Sequence, residues 1–230
     1  ERIVAVFHDR KAFDPATAEQ TFHIGLSDYG AMTALPGLIK AAQKEAPGVR
    51  LRVVQRDYEE RLQDLIEGEL DLVVGCVVLP CASVLREQLF TDRDVCIMRE
   101  DHPLAKEGLT YENFLATPSV GLSLSETQED AAVAYLQRKG MKRNLHHKVA
   151  HELVMPLILC QTDYIGIVAE RIVKDYLSHL PLAVLDLPIA PEEAEFPMSQ
   201  FWTKSMDQDP ANVWLRQMVR RVGADLEARR

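Results

Sequence analysis

The chain has 230 residues, 47% of them hydrophobic and 27% charged, a composition that fits an ordinary globular fold and excludes a low-complexity or disordered chain. Its formal net charge is −9 with Lys and Arg spread along the sequence, which excludes the basic footprint needed to neutralise a phosphate backbone. No apolar run reaches the roughly 20 residues of a membrane helix, and the cysteines at positions 76, 81, 96 and 160 lack the paired spacing of a disulfide framework.

Residues 22–27 alternate and predict a strand, followed by a turn at Asp28, Tyr29 and Gly30. A helix carried by Leu35, Leu38, Ile39 and Ala42 then runs up to Pro47-Gly48. Pro36 is expected in its first turn, where a missing N–H has no intrahelical partner to lose. Residues 49–54 read as the next strand, and Asp57 with Glu60 resembles a capping box. The helix it opens has Leu62, Leu65 and Ile66 on its apolar face and stops at Gly68. Residues 70–75 are short and apolar, as a strand covered on both faces should be. This βαβαβ order predicts parallel strands with right-handed crossovers.

Two further strands are expected at 84–91 and 94–99, before Asp101-His102-Pro103 breaks the pattern and a short helix follows near 111–115. The architecture then repeats, with a strand at 120–124 and a second capping box, Ser125 with Gln128, opening a helix that reaches Gly140. A strand at 145–150, a helix at 153–160, a buried strand at 165–169 and a helix at 170–178 complete the repeat. Strands at 182–187 and 198–202 flank a proline-rich acidic turn, and a last helix from Asp209-Pro210 places Val213, Trp214, Met218, Val219 and Val222 on one face. The predicted fold class is α/β, two Rossmann-like lobes joined by crossover strands. Lobe I takes 21–98 plus 188–230, lobe II takes 99–187, and 1–20 form a lead-in.

In two-lobed α/β folds a ligand settles at the carboxyl ends of the strands, where helix N-termini present free N–H groups. That rule nominates Ser27, Asp28, Tyr29, Met32 and Thr33 from lobe I and Ser123, Ser125 and Thr127 from lobe II. Helix capping is the competing reading for Asp28, Thr33 and Ser125. Ser27 and Thr33 are suited to hydrogen-bonding a carboxylate or phenol, and Met32 to covering an aromatic face. An acid beside an anion site is unfavourable unless it is protonated or directed away, so Asp28 favours a neutral or phenolic ligand.

His151 precedes a helix and can donate to a ligand oxygen, with a cap or surface position as the alternative. Met98 at the hinge and Phe201 at the end of a returning strand complete the ligand set, while Trp202 and Trp214 are read as core. His147 and His151 stand four apart across a strand-to-helix switch, so neither a metal site nor a cofactor is expected. Cys76 and Cys96 read as small core hydrophobes and Cys81 as the exposed thiol, a usage that fits a reducing cytoplasm. The basic stretch Lys142, Arg143, His146, His147 and Lys148 reads as a solvated edge strand. The sequence holds no GxSxG elbow, P-loop, Rossmann fingerprint or HExxH, so binding without turnover is expected. A periplasmic-type solute-binding protein of the same architecture is the alternative.

The ladder Leu35-Pro36, Pro47, Val49, Leu51, Leu65, Gly68, Asp71 and Leu72 resembles the sensor domains of LysR-type transcriptional regulators. Met98 to Leu104, with Asp101-His102-Pro103-Leu104, is similar to that family's crossover, and Thr162-Asp163 with Ile165-Gly166-Ile167 to its later helix-to-strand step. FDPATA at 13–18, SDY at 27–29 and FWTKSMDQDPANVWLR at 201–216 resemble the subgroup of nodulation and aromatic-degradation regulators. The resemblance implies a type 2 periplasmic-binding-protein-like fold and an aromatic or phenolic effector, and makes 1–20 the end of a linker behind a DNA-binding head that is not part of this sequence. It further implies a homodimer or homotetramer through lobe I to lobe II pairing, with the first helix (about 33–46) and its following strand against the second lobe's equivalents. Leu38, Ala41, Ala42 and Val53 are the apolar contacts expected there.

Overall fold

The computed structural model describes residues 12–76, 81–122 and 131–229. Strands β1 (Thr21–Leu26), β2 (Arg50–Val54) and β3 (Leu72–Gly75) are parallel in the order β2-β1-β3, connected by α1 (Asp28–Glu45) and α2 (Tyr58–Glu67). The long strand β4 (Val84–Arg99) leads to α3 (Pro103–Glu107), α4 (Tyr111–Ala116), β5 (Ser119–Leu122), α5 (Ala131–Arg138), β6 (Leu145–Val149), α6 (Val154–Leu159) and β7 (Ile165–Ala169). There follow α7 (Glu170–Ile172), a π-helical segment (Val173–Leu177), β8 (Leu182–Asp186), α8 (Pro191–Ala194), β9 (Glu195–Thr203), a 3-10 turn (Lys204–Met206) and α9 (Pro210–Glu227).

The second parallel set, β6-β5-β7, repeats the order of the first, as the repeated sequence pattern predicts. Between the two sets, β9 lies antiparallel to β3 and to the first part of β4, while β7 and β8 lie antiparallel to the last part of β4. β4 therefore belongs to both sheets and joins them. The two strands expected at 84–91 and 94–99 are this one 16-residue strand. Asp92 and Asp94, at the gap between the two expected strands, are both buried and keep regular register, Asp92 with Phe196 and Asp94 with Ala169, while the register shift against β9 lies earlier, between Gln88 and Phe90.

Local chemistry sets the element ends. Ser27 caps α1, its hydroxyl accepting from the Gly30 N–H, and Asp57 caps α2 by accepting from Glu60 at 2.9 Å. α2 stops at Gly68, whose φ of +82° is left-handed and costs glycine nothing. Because α1 already begins at Asp28, Pro36 sits inside the helix and not in its first turn. The carbonyl of Met32, four residues earlier, has lost its helical donor, and the Tyr176 hydroxyl, from the π-helical segment, donates to it at 2.6 Å. The helix expected at 170–178 is accordingly three α-helical residues followed by a π-helical turn.

Phe22, Ile24, Leu72 and Val74 of the first sheet pack with Leu38 of α1 and with Trp214, Leu215, Met218 and Val219 of α9, the return of the last helix that the sequence predicts. Cys96, Met98, Leu104, Phe114, Leu136 and Ile165 fill one side of the second sheet, and Val95, Ile97, Val120, Met155 and Leu159 the other. Both tryptophans are core residues as expected; Trp202 also donates to Asp207 at 2.9 Å beneath the Arg216 guanidinium. Among the described residues no helix is long and apolar enough to cross a membrane.

Candidate functional site

The carboxyl ends of β1 and β6 face each other across the junction of the two sheets, and Asp28 marks their meeting. As the first residue of α1 it directs its carboxylate away from its own helix. Gln55, just beyond β2, donates its Nε2 to Oδ1 of Asp28. From the other lobe the Glu152 N–H donates to Oδ2 at 3.2 Å, and the His151 ring nitrogen Nδ1 lies 3.3 Å from the same oxygen. Cys76 directly follows β3, packs against the core of the first sheet and lies within electrostatic reach of Glu152. Burial, reinforced by the Asp94 carboxylate, pushes its thiol up to about 11, and Glu152 and Arg61 also act on it. Cys96 is fully buried and Cys76 partly buried against the core of the first sheet, as expected of small core hydrophobes, while Cys81, expected to be exposed, is partly exposed.

Of the nominated residues, Asp28 and His151 meet across the junction of the two sheets with Ser27 next to Asp28 in the chain, Met32 is partly buried against the core of the first sheet, and Ser27, not Asp28, is the helix cap. Ser123, Ser125 and Thr127 lie outside the described residues. Thr33 is buried with its hydroxyl donating to the Tyr29 carbonyl at 2.7 Å, so it is committed to its own helix. Met98, the last residue assigned to lobe I, is enclosed in the core on one side of the second sheet and paired with Ala183 on β8, and Phe201 packs against Leu65, Leu70 and Val73 of the first sheet; both side chains are buried in those cores.

Tyr29 is buried on the other side of α1, where its hydroxyl donates to Asp92 Oδ2 at 2.5 Å and burial holds the phenol well above its ordinary range. The same oxygen lies 3.7 Å from Nε of Arg171, whose guanidinium stands over the Phe90 ring. This cluster ties α1, the shared strand β4 and α7 together, and it makes Tyr29 an anchor and not a ligand contact. Gln55, Cys76 and Glu152 at the crevice, and Asp92 and Arg171 behind it, were not nominated from sequence. The rule that selects Ser27 after β1 selects Gln55 after β2 and Cys76 after β3 equally well.

Beside the cluster, Arg93 holds Glu170 through paired bonds of 2.7 and 3.0 Å, with Lys174 at 3.2 Å. Hydrogen bonding from Arg93, then from Lys174, pulls the Glu170 carboxyl from the usual 4.5 down to about 2. A depressed carboxyl stabilises the fold fully above its unfolded value and loses that contribution as pH falls through the folded one. We expect the Glu170 contribution to be intact above about pH 4.5 and to vanish toward pH 2. Urea unfolding of the chain and of Glu170→Gln across that window should give curves that separate above pH 4.5 and converge below it; parallel curves would contradict the assignment.

Residues 15–224 match the family model described as LysR substrate binding domain. The chain is 28% identical over 209 residues to the HTH-type transcriptional activator NagR of Ralstonia sp, covering 91% of this chain and 69% of that protein. It is 30% identical over 210 residues to the activator NahR of Pseudomonas putida, with the same coverage, and 26% identical to Nodulation protein D 2 of Rhizobium tropici, over 90% of this chain and 65% of that one. Among solved structures, the regulatory domain of MexT, a transcriptional activator in Pseudomonas aeruginosa, superposes with a TM-score of 0.76 at 26% identity, covering 90% of this chain and all of that one. The repeated parallel units, the crossover strands and these likenesses agree: the chain belongs to the LysR substrate-binding domain family and is the effector-binding domain of a LysR-type transcriptional regulator.

Proposed function

We propose that the crevice between lobe I (21–98 plus 188–230) and lobe II (99–187) binds a small aromatic or phenolic inducer without turning it over. The observation that carries this reading is the contact of Asp28 with His151 and Glu152, which brings the carboxyl ends of two parallel sheets opposite each other, where such folds take ligands. Ser27, Asp28, Met32 and His151, with Gln55 and Cys76, form the contact set, together with Ser123, Ser125 and Thr127, which lie outside the described residues. The protein acts in the cytoplasm, and DNA is reached through an N-terminal head joined by the segment at 1–20. The inducer changes the angle between lobes through its different affinity for the two states.

A thermal-shift screen of phenols, chlorinated hydroquinones, flavonoids and aromatic acids tests this. A true inducer at a hundred times its Kd stabilises the fold by about 2.7 kcal/mol and is recovered unchanged. A panel in which no aromatic compound shifts the melting temperature, or in which the hit is consumed, would sink the reading.

Self-association follows from the surface. Ile39 of α1 and Val53 of β2 are exposed on lobe I, and Leu145, Leu153, Val154 and Leu157 are exposed along β6 and α6 on lobe II, flanking the two edge strands of the sheet. Leu38 and Ala42 face the core and supply none of this patch. Pairing one copy's α1 and β2 with another's α6 and β6 covers both patches at once, as closed two-fold symmetry requires. Leu157→Asp should shift the chain toward monomer in sedimentation, and a wild-type chain that stays monomeric at high concentration would rule the pairing out.

A further inference from the structure

Resting on the inducer reading above, we propose that Asp28 is a specificity-determining residue: it occupies the polar seat on lobe II that a ligand carboxylate would need, so the closed crevice accepts uncharged or phenolic molecules and rejects aromatic acids. Both of its oxygens are engaged, Oδ1 by Gln55 of lobe I and Oδ2 by the Glu152 N–H and the His151 ring of lobe II. The carboxylate is largely covered, at 17% side-chain exposure, whereas the His151 ring is 62% exposed and free to meet a guest on its open face. A carboxylate-bearing ligand gains the two lobe II donors only by displacing Asp28, and then lies beside the displaced negative charge.

The surroundings point the same way. Asp94 and Glu152 both act as negative charges on Cys76, just beyond β3, and Arg61 is the positive group that acts on the same thiol. With Asp28 added, these described groups comprise three carboxylates and one guanidinium. A phenolic hydroxyl, by contrast, donates to Asp28 while it remains seated, so the ligand adds to the bridge between lobes where an acid breaks it. Asp28 is thereby both the filter and part of the latch.

The test has two independent readouts on the chain and on Asp28→Asn and Asp28→Ala. In titration calorimetry with catechol and benzoate at neutral pH, the wild-type chain should prefer catechol by about tenfold or more, the worth of one charge-assisted hydrogen bond. Asp28→Asn should erase or reverse that preference by strengthening benzoate. A wild-type chain that binds benzoate as tightly as catechol, with no change in Asp28→Asn, overturns the filter. Without ligand, the Glu152 amide should exchange faster in Asp28→Ala than in the wild type and stay largely protected in Asp28→Asn, with the amides of Leu72 and Val74 unchanged as a check on folding. Equal exchange in all three overturns the latch. If neither compound binds any variant, the aromatic-inducer reading falls with the filter, while the Glu152 amide still decides the latch.

Discussion

Asp92→Ala is expected to destabilise the chain by about 3–5 kcal/mol, the range for breaking a buried ion pair by removing one partner. The side chains of Asp92 and Arg171 are 6% and 5% exposed, so the guanidinium left behind stays enclosed, with the Phe90 ring 5.4 Å away and the Tyr29 phenol beside it but without its carboxylate. The Tyr29 hydroxyl, which donates to the same carboxylate, is stranded as well. Urea denaturation should give a lower midpoint with an unchanged slope, the sign of lost stability without a change in exposed surface. Asp92→Asn keeps an acceptor for Tyr29 while losing the charge, and its cost should fall between the two. A loss below about 1 kcal/mol for the alanine variant would mean that water reaches Arg171, since surface ion pairs are worth no more than that. Because the cluster joins α1 and α7 through β4, the same variant should also loosen the angle at which the crevice is held.

The parallel units were legible because their signals are local. The short apolar run at 70–75, within which the strand spans Leu72–Gly75, the stop at Gly68 and the cap at Asp57 are each readable without knowledge of partners. What failed depended on tertiary contacts. Asp92 interrupts an apolar run on paper, and groups remote in sequence, the Tyr29 hydroxyl 63 residues before it and the Arg171 guanidinium well after it, make its burial tolerable. Pro36 looked like a first-turn residue because nothing nearby reveals that a tyrosine from the opposite lobe will satisfy the carbonyl it leaves open. Neighbouring residues of the first turn of α1 point in different directions, because a helix fans its side chains around its axis. Asp28 therefore reaches across to lobe II while Tyr29, its neighbour, turns back into the core. Periodicity finds the rim of a crevice and leaves open which of adjacent residues faces the guest.

Trp214→Ala should cost about 3–5 kcal/mol, as truncating a core aromatic does. The indole is 9% exposed and joins three pieces of chain that local pattern alone does not connect. It stacks on Phe22 of β1 with ring centroids 5.9 Å apart, and meets Phe13, ahead of β1, at 5.2 Å. Phe13 in turn packs edge-on to Phe22 at 6.2 Å, so the three rings form a closed set, and losing the indole breaks two of its three contacts and leaves one. Beyond the global loss seen in urea, Trp214→Ala should speed amide exchange of Ala18, whose N–H bonds back to Asp14, more than that of Ile24 within the sheet. Trp214→Phe, which keeps a ring in place, should lose less on both counts. Uniform acceleration at Ala18 and Ile24 would mean that the rings support only the core. Selective acceleration at Ala18 would mean that α9 pins the segment leading toward the proposed DNA-binding head, giving a change in lobe I a rigid path to that end of the chain.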